Sequence, residues 1–176
     1  MISVKSCGDT MQDNKRYLKW CLDQNRGIRQ VKPSVNLVRA YLEKSRNALK
    51  SMEVNAKEGI IEWAVSAGYY AKYFAVYALL SKIGVKCEIH DCTIALFEYL
   101  FGRDVPPQII QEFKKSKVDR IEMQYYTRKI NIDLEKLMKR TKSFVLDIEK
   151  ILDDLNSDRI TELQNILQNL KIGNVK

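Results

Sequence analysis

Apolar side chains return every three or four positions along most of this chain, and no stretch alternates long enough to read as a strand. The pattern therefore predicts helices throughout. It is densest from Asn55 to Gly84, where Lys72 is the only charged residue between Trp63 and Ser81. Ala64, Gly68, Ala71, Ala75 and Ala78 recur at steps of three and four, which sets them on one helical face. Trp63, Tyr70, Phe74 and Tyr77 fall on a neighbouring face. The spacing predicts a central helix that approaches one partner closely through its small residues and buries aromatic bulk against another.

The remaining elements follow in chain order. Thr10 with Asp13 forms a capping pattern ahead of Leu18, Cys21 and Leu22, predicting a first helix that ends near Gly27. Pro33 and Ser34 open a second helix carrying Val35, Val38, Tyr41, Leu42, Leu49 and Met52 and running to about Val54. Asn55 followed by Glu58 is a capping pair for the central helix, so these two helices are expected to be antiparallel across a tight connection, and Gly84 stops the central one. After a loop from Val85 to His90, Asp91 caps a short helix with Ile94, Phe97, Leu100 and Phe101 that ends at Gly102. Pro106 and Pro107 start a fifth helix with Ile109, Ile110, Phe113 and Ile121, and the stretch from Met123 to Arg128 reads as helix end or loop. From about Asn131 a long helix carries Leu134, Leu137, Met138, Phe144, Val145, Ile148, Ile151, Leu152 and Leu155. Ser157 caps a last helix whose stripe of Ile160, Leu163, Ile166, Leu167 and Leu170 either docks on the bundle or meets a second copy. The fold expected is all-α, an antiparallel helical bundle in one domain. Residues 1–32 form a basic N-terminal helix on or beside the bundle, 33–156 the bundle itself, and 157–176 a C-terminal helix.

Composition adds charge to this picture. Thirty Lys and Arg against twenty-two Asp and Glu leave a formal charge of +8, concentrated toward the ends of the chain. Residues 1–56 carry eleven basic and five acidic side chains, whereas 57–102 carry four and five. Such a balance favours phosphate-rich partners. The segment from Trp63 to Ser81 is nearly long enough to span a bilayer, but a central Lys72 costs about 3 kcal/mol there. Four tyrosines and two serines argue against a span as well. With no signal-like start, the expectation is a cytoplasmic protein without membrane contact.

Candidate chemistry is sparse. Lys15, Arg16, Lys19, Arg26, Arg29 and Lys32 surround Tyr17 and Trp20, the mixture that gives phosphate contact and base stacking. The alternative is a solvated face with two docked aromatics. Lys114, Lys115, Lys117 and Arg120, with Arg128, Lys129, Lys139, Arg140 and Lys142, form a second basic cluster, open to the same two readings. Ser66, Tyr69 and Tyr70 either line a polar groove or pack their rings in the core. Cys87, His90 and Cys92 are three zinc-type ligands within six residues, with a fourth to come from Cys7, Cys21 or a carboxylate. A Cys87–Cys92 disulfide is the redox alternative, and four idle thiols in a reducing compartment is the reading adopted, with no metal and no cofactor expected. His90 beside Asp91 reads as a loop residue satisfying local hydrogen bonds in preference to a catalytic one. Gly-rich phosphate loops, Gly-x-Ser-x-Gly elbows and His-Glu-x-x-His helices are absent from the sequence.

The run AVSAGYYAKYFAVYALLSKIGVKCEIHDCTIALFEYLF resembles the HEPN domains, through Ser66, Tyr69, Tyr70, Ala71, Gly84, His90 and Phe97. The likeness extends back to YLEKSRNAL and forward to Arg120, Tyr126 and SFVLDIEKIL, covering roughly residues 35–155. It implies a bundle of four to five helices, commonly a homodimer, often paired with a small nucleotidyltransferase, with toxins among its members. In the family's ribonuclease branch four to six variable residues separate an Arg from the His that follows it. Here that Arg would fall at Ile83, Gly84 or Val85, none of them basic, and Ala67 stands where an Arg often follows the family's Ser. Lys82 and Lys86 lie nearby as point charges without a guanidinium fork.

These observations lead to the expectation of a non-catalytic HEPN-type binding protein. It would be a homodimer with a nucleotidyltransferase-type partner, binding nucleotide or RNA through Lys15, Arg16, Lys19, Trp20, Ser66, Tyr69, Tyr70 and Arg120. A metal-independent toxin-type ribonuclease, using His90 with Lys86, is the alternative, and a purely structural interaction module is the third reading.

Overall fold

The computed structural model describes the backbone of residues 7–126 and 132–172 and the side chains of 14–126 and 132–170. Seven helices make up almost all of it: α1 Cys7–Asp23, α2 Val35–Lys57, α3 Ile61–Lys82, α4 His90–Phe101, α5 Pro107–Tyr125, α6 Leu134–Asp154 and α7 Ser157–Ile172. The chain is an all-α protein, as its periodicity requires. One short antiparallel pair was not anticipated. Strands β1 (Arg29–Gln30) and β2 (Val85–Lys86) align Arg29 with Lys86 and Gln30 with Val85. Two residues are too few for any alternation to register.

Helix α3 is central because almost every side of it is covered. Ala64, Ala71, Ala75 and Ala78 are fully buried, and α2, α5 and α6 pack around them. The small residues allow close approach to α2. Ser45 on α2 donates its hydroxyl to the Ala71 carbonyl at 2.8 Å, and a β-carbon added at Gly68 would stand 3.0 Å from the Met52 sulfur. The main core gathers Val76, Leu79, Leu80, Leu96, Phe97, Phe101, Phe113 and Phe144. Full burial of each of these large side chains stabilises the fold by about 1.5 to 3 kcal/mol. Leu18 and Cys21 of α1 and Leu163, Leu167 and Leu170 of α7 join the same core, so both terminal helices dock on the bundle.

Trp63 departs from the expected aromatic face. It is 60% exposed in the first turn of α3, where it opens onto a groove beside α2, while Tyr77 at the far end is buried. The expected cap at Asn55 is also displaced. Asn55 lies inside α2, where its side-chain amide donates to the Ser51 carbonyl at 2.8 Å. The turn is made instead by Gly59 at φ +73°, and Ile60 precedes α3 without a side-chain cap. Ser34 does cap α2, accepting from the Leu37 amide at 3.3 Å. Asp133 caps α6, and Asn156, one residue before Ser157, accepts from the Arg159 amide at the start of α7. The Thr10–Asp13 cap, the Cys7 thiol, Arg128, Lys129 and the predicted helix start at Asn131 lie outside the described side chains.

The α1–α2 connection is laced to the α3–α4 loop. The Val31 amide donates to the Gly84 carbonyl at 2.8 Å, and the Glu88 amide to Arg26 at 2.9 Å. Gly84 has φ +77°, and a β-carbon there would meet the Val31 carbonyl oxygen at 2.5 Å, so this crossing needs glycine. A disulfide between Cys21 and Cys92, Cα atoms 5.7 Å apart, bonds α1 to α4. It corrects both cysteine expectations. Cys92 pairs with a residue 71 positions away and not with Cys87, whose buried thiol is free and raised in pKa by desolvation. Among the described residues no helix is long and apolar enough to cross a membrane.

Candidate functional site

The N-terminal turn of α4 meets the middle of α3 and the second half of α5. There His90, Tyr69, Tyr70, Tyr73 and Arg120 form one cluster. The Gly84 crossing and the Cys21–Cys92 bond fix the start of α4, and with it His90. Its ring lies on Tyr73, centroids 4.3 Å apart and planes 14° from parallel, and its Nδ1 is 2.5 Å from the Tyr69 hydroxyl. Burial pushes the Tyr69 phenol well above its ordinary range, so the hydroxyl keeps its proton. Its partner in this contact is Nδ1, and Arg120 alongside can only donate. The contact is met either by the hydroxyl donating to Nδ1, which puts the imidazole hydrogen on Nε2, or by Nδ1–H donating to the hydroxyl. The imidazole pKa is lowered by desolvation first, then by the charges of Arg120 and Lys117, against a smaller opposing effect of Asp91. His90 is thus neutral near pH 7.

Arg120 is the other half of the cluster. Its guanidinium carbon lies 5.2 Å from the Tyr69 ring centroid and 5.7 Å from that of Tyr70, within cation–π range of both. One terminal nitrogen donates to the Tyr70 hydroxyl at 3.3 Å, and the buried Nε has no hydrogen-bond partner. Its neighbours in the second basic cluster are differently placed. Lys114 pairs with Glu98, Lys115 with Asp119, Lys117 with Asp91, Arg140 with Glu112 and Lys142 with Glu53. Among the described residues no carboxylate pairs with Arg120. A half-buried guanidinium held by aromatic faces, beside a neutral imidazole and without a carboxylate among the described residues, is suited to an anion.

The other sequence candidates are distributed around this point. Ser66 is buried, donating to the Glu62 carbonyl at 2.8 Å. Lys86 pairs with Glu88 at 2.8 Å, and Lys82 donates to the Leu152 carbonyl at the end of α6, so neither is the cation acting on His90. The weak metal trio fails for a covalent reason. The Cys92 sulfur is in the disulfide and the His90 Nδ1 is taken by Tyr69, and no cluster of potential ligands converges among the described residues. On α1, Lys15 and Arg16 are exposed, while Tyr17 and Trp20 stack on each other at 5.5 Å. Tyr17 faces a cleft of about 310 Å³ shared with Asn14, Asp91 and Lys117, so α1 borders the His90 cluster from the α4 side. Sequence reasoning named Arg120 but not its position beside His90. Tyr73, which carries the imidazole, was not singled out; its place one helical turn from Tyr69 and Tyr70 was the available signal.

A search of curated proteins finds no match to the chain. The family model for the HEPN domain matches residues 38–152, well over half of the 176 residues and nearly the span of the resemblance described above. This match takes in α3, α4, α5 and the whole His90–Arg120 cluster, and the chain belongs to the HEPN family.

Proposed function

We propose that this HEPN protein binds single-stranded RNA, holding a backbone phosphate between Arg120 and the Nε2–H of His90. The observation that carries the reading is Arg120, fixed over Tyr69 and Tyr70 with a buried Nε, beside His90 and without a carboxylate among the described residues. A cation left without its counter-ion inside a packed cluster is a cost to the fold unless a ligand supplies the charge. With its hydrogen on Nε2, the tautomer this reading requires, a neutral imidazole has no lone pair there to accept a proton, so the site would bind and not act as a base. A homodimer and a nucleotidyltransferase-type partner belong to the same proposal and rest on family membership.

The test is a titration of labelled single-stranded RNA with wild-type protein, Arg120→Ala and Arg120→Lys. Loss of a charge-assisted contact should weaken binding by about ten- to a hundredfold in Arg120→Ala. Arg120→Lys should recover little of it, since a point charge cannot span the two rings and a phosphate. Equal affinity of all three proteins would remove Arg120 from the site.

The ribonuclease reading draws on the same geometry. Arg120 supplies in space, from α5, the guanidinium that is missing ahead of His90 in sequence. The binding reading expects no cleavage above background in metal-free buffer. Cleavage abolished by His90→Ala would replace it with the enzymatic one.

A further inference from the structure

We infer that the groove between α2 and the start of α3 receives an unpaired nucleobase of the same RNA strand. This rests on the phosphate site proposed above. The cavity has a volume of about 610 Å³, and Trp63, Tyr70 and Phe74 form its aromatic wall. Its remaining lining, Ala48 and Ala67 among it, is small, which leaves the ring faces accessible. Two polar groups stand at the edge. The Asn55 side-chain nitrogen is held by the Ser51 carbonyl and hydroxyl oxygens, which leaves the amide oxygen as an acceptor and the Ser51 hydroxyl hydrogen as a donor. One acceptor and one donor beside aromatic faces match the flat surface and the mixed edge of a base.

Tyr70 connects the groove to the phosphate site. Its ring lines the cavity while its hydroxyl accepts from Arg120, so the two sites share one wall. A nucleotide whose phosphate sits on Arg120 has its base within reach of that wall. The exposure of Trp63 follows from the same arrangement. It is the outermost ring of the groove, in a turn where the rest of α3 has none so open. The occupant is single-stranded, because the edge and both faces of a base inside a duplex are already taken.

Three ligands separate this inference from the reading it rests on: single-stranded RNA, a strand of the same length and charge lacking bases, and duplex RNA. The measurements are affinity and tryptophan emission, with Trp63→Phe and Trp63→Ala as the variants. Expected are quenching of wild-type emission by single-stranded RNA, little of that quenching in Trp63→Phe with affinity nearly retained, and a loss of about five- to a hundredfold in Trp63→Ala. The abasic strand should bind more weakly by a similar factor. Equal binding of abasic and normal strands, with Trp63→Ala unaffected, overturns the base site and leaves the phosphate site standing. No binding of any strand overturns both. Emission that changes with protein concentration in the absence of RNA in wild type but not in Trp63→Phe shows a second copy in the groove and overturns the base site. Trp63 is exposed, so Trp63→Ala should fold, which its helical circular dichroism checks.

Discussion

Two cations on neighbouring parts of the bundle have opposite surroundings. Lys72, in the middle of α3, has no solvent exposure, and its ammonium lies 2.5 Å from Glu112, with Arg140 on the other side of the same carboxylate at 3.8 Å. Desolvation lowers the Lys72 pKa, and Glu112 opposes that shift. Arg120, two turns further along α5 from Glu112, is also held by packing, but on tyrosine rings and without a carboxylate. The first arrangement is closed, with charge compensated within the protein. The second is half of an ion pair. A packed positive charge points to a site when, as for Arg120, no carboxylate among the described residues pairs with it. On α1, by contrast, Lys15 and Arg16 are exposed and no packed ring among the described residues holds them in place.

The comparison can be broken at several points. Glu112→Gln should have the largest effect, since it leaves Lys72 buried beside a neutral amide. A loss of about 3 to 5 kcal/mol is expected, read as a fall in the denaturant midpoint. Arg120→Ala should change stability far less while abolishing most RNA affinity, and a large stability loss there would make Arg120 structural like Lys72. Next is the disulfide, which closes a loop of 71 residues. Removing it with Cys21→Ser and Cys92→Ser together should cost about 2 to 4 kcal/mol. Unchanged unfolding under reducing conditions would show that α1 is not held through Cys92. Ala75→Leu comes third, an overpacked contact against the fully buried small face of α3, costing about 1 to 3 kcal/mol. An unchanged melting temperature would mean this face has room.

The smallest effect concerns pH. His90 has a folded pKa below the ordinary 6.5, so between the two values the unfolded chain binds a proton that the folded one refuses. Its contribution is therefore present above about pH 6.5 and lost as pH falls toward the folded pKa. His90→Gln should flatten the melting temperature over that window relative to wild type, and an identical slope in both proteins would place the titration elsewhere.

How much of this was legible in the sequence depended on distance along the chain. Helix order, the Ser34 cap and the stops at Gly84 and Gly102 are local signals, and the structure carries them nearly where the spacing placed them. Trp63 opens onto the groove beside α2, which the spacing did not show, because periodicity gives a face but not whether a neighbouring helix fills the space against it. The Cys21–Cys92 bond joins residues 71 apart, and no spacing within six residues could favour it over Cys87–Cys92. The cluster was hidden for the same reason. His90, Tyr69 and Arg120 come from three helices, and the motif that would have joined an Arg to His90 was sought along the chain while the guanidinium arrives from α5 across it.

Whether His90 and Arg120 form one anion site can be read at a single atom, because the chain contains one histidine. Nitrogen-15 spectra of the imidazole report the proton on each ring nitrogen, free and during a titration with single-stranded RNA. Expected are a neutral ring with its hydrogen on Nε2 in the free protein, and a shift of that nitrogen that saturates at the affinity measured by binding and is lost in Arg120→Ala. A hydrogen on Nδ1, or an imidazole unmoved at saturating RNA, would contradict the shared site.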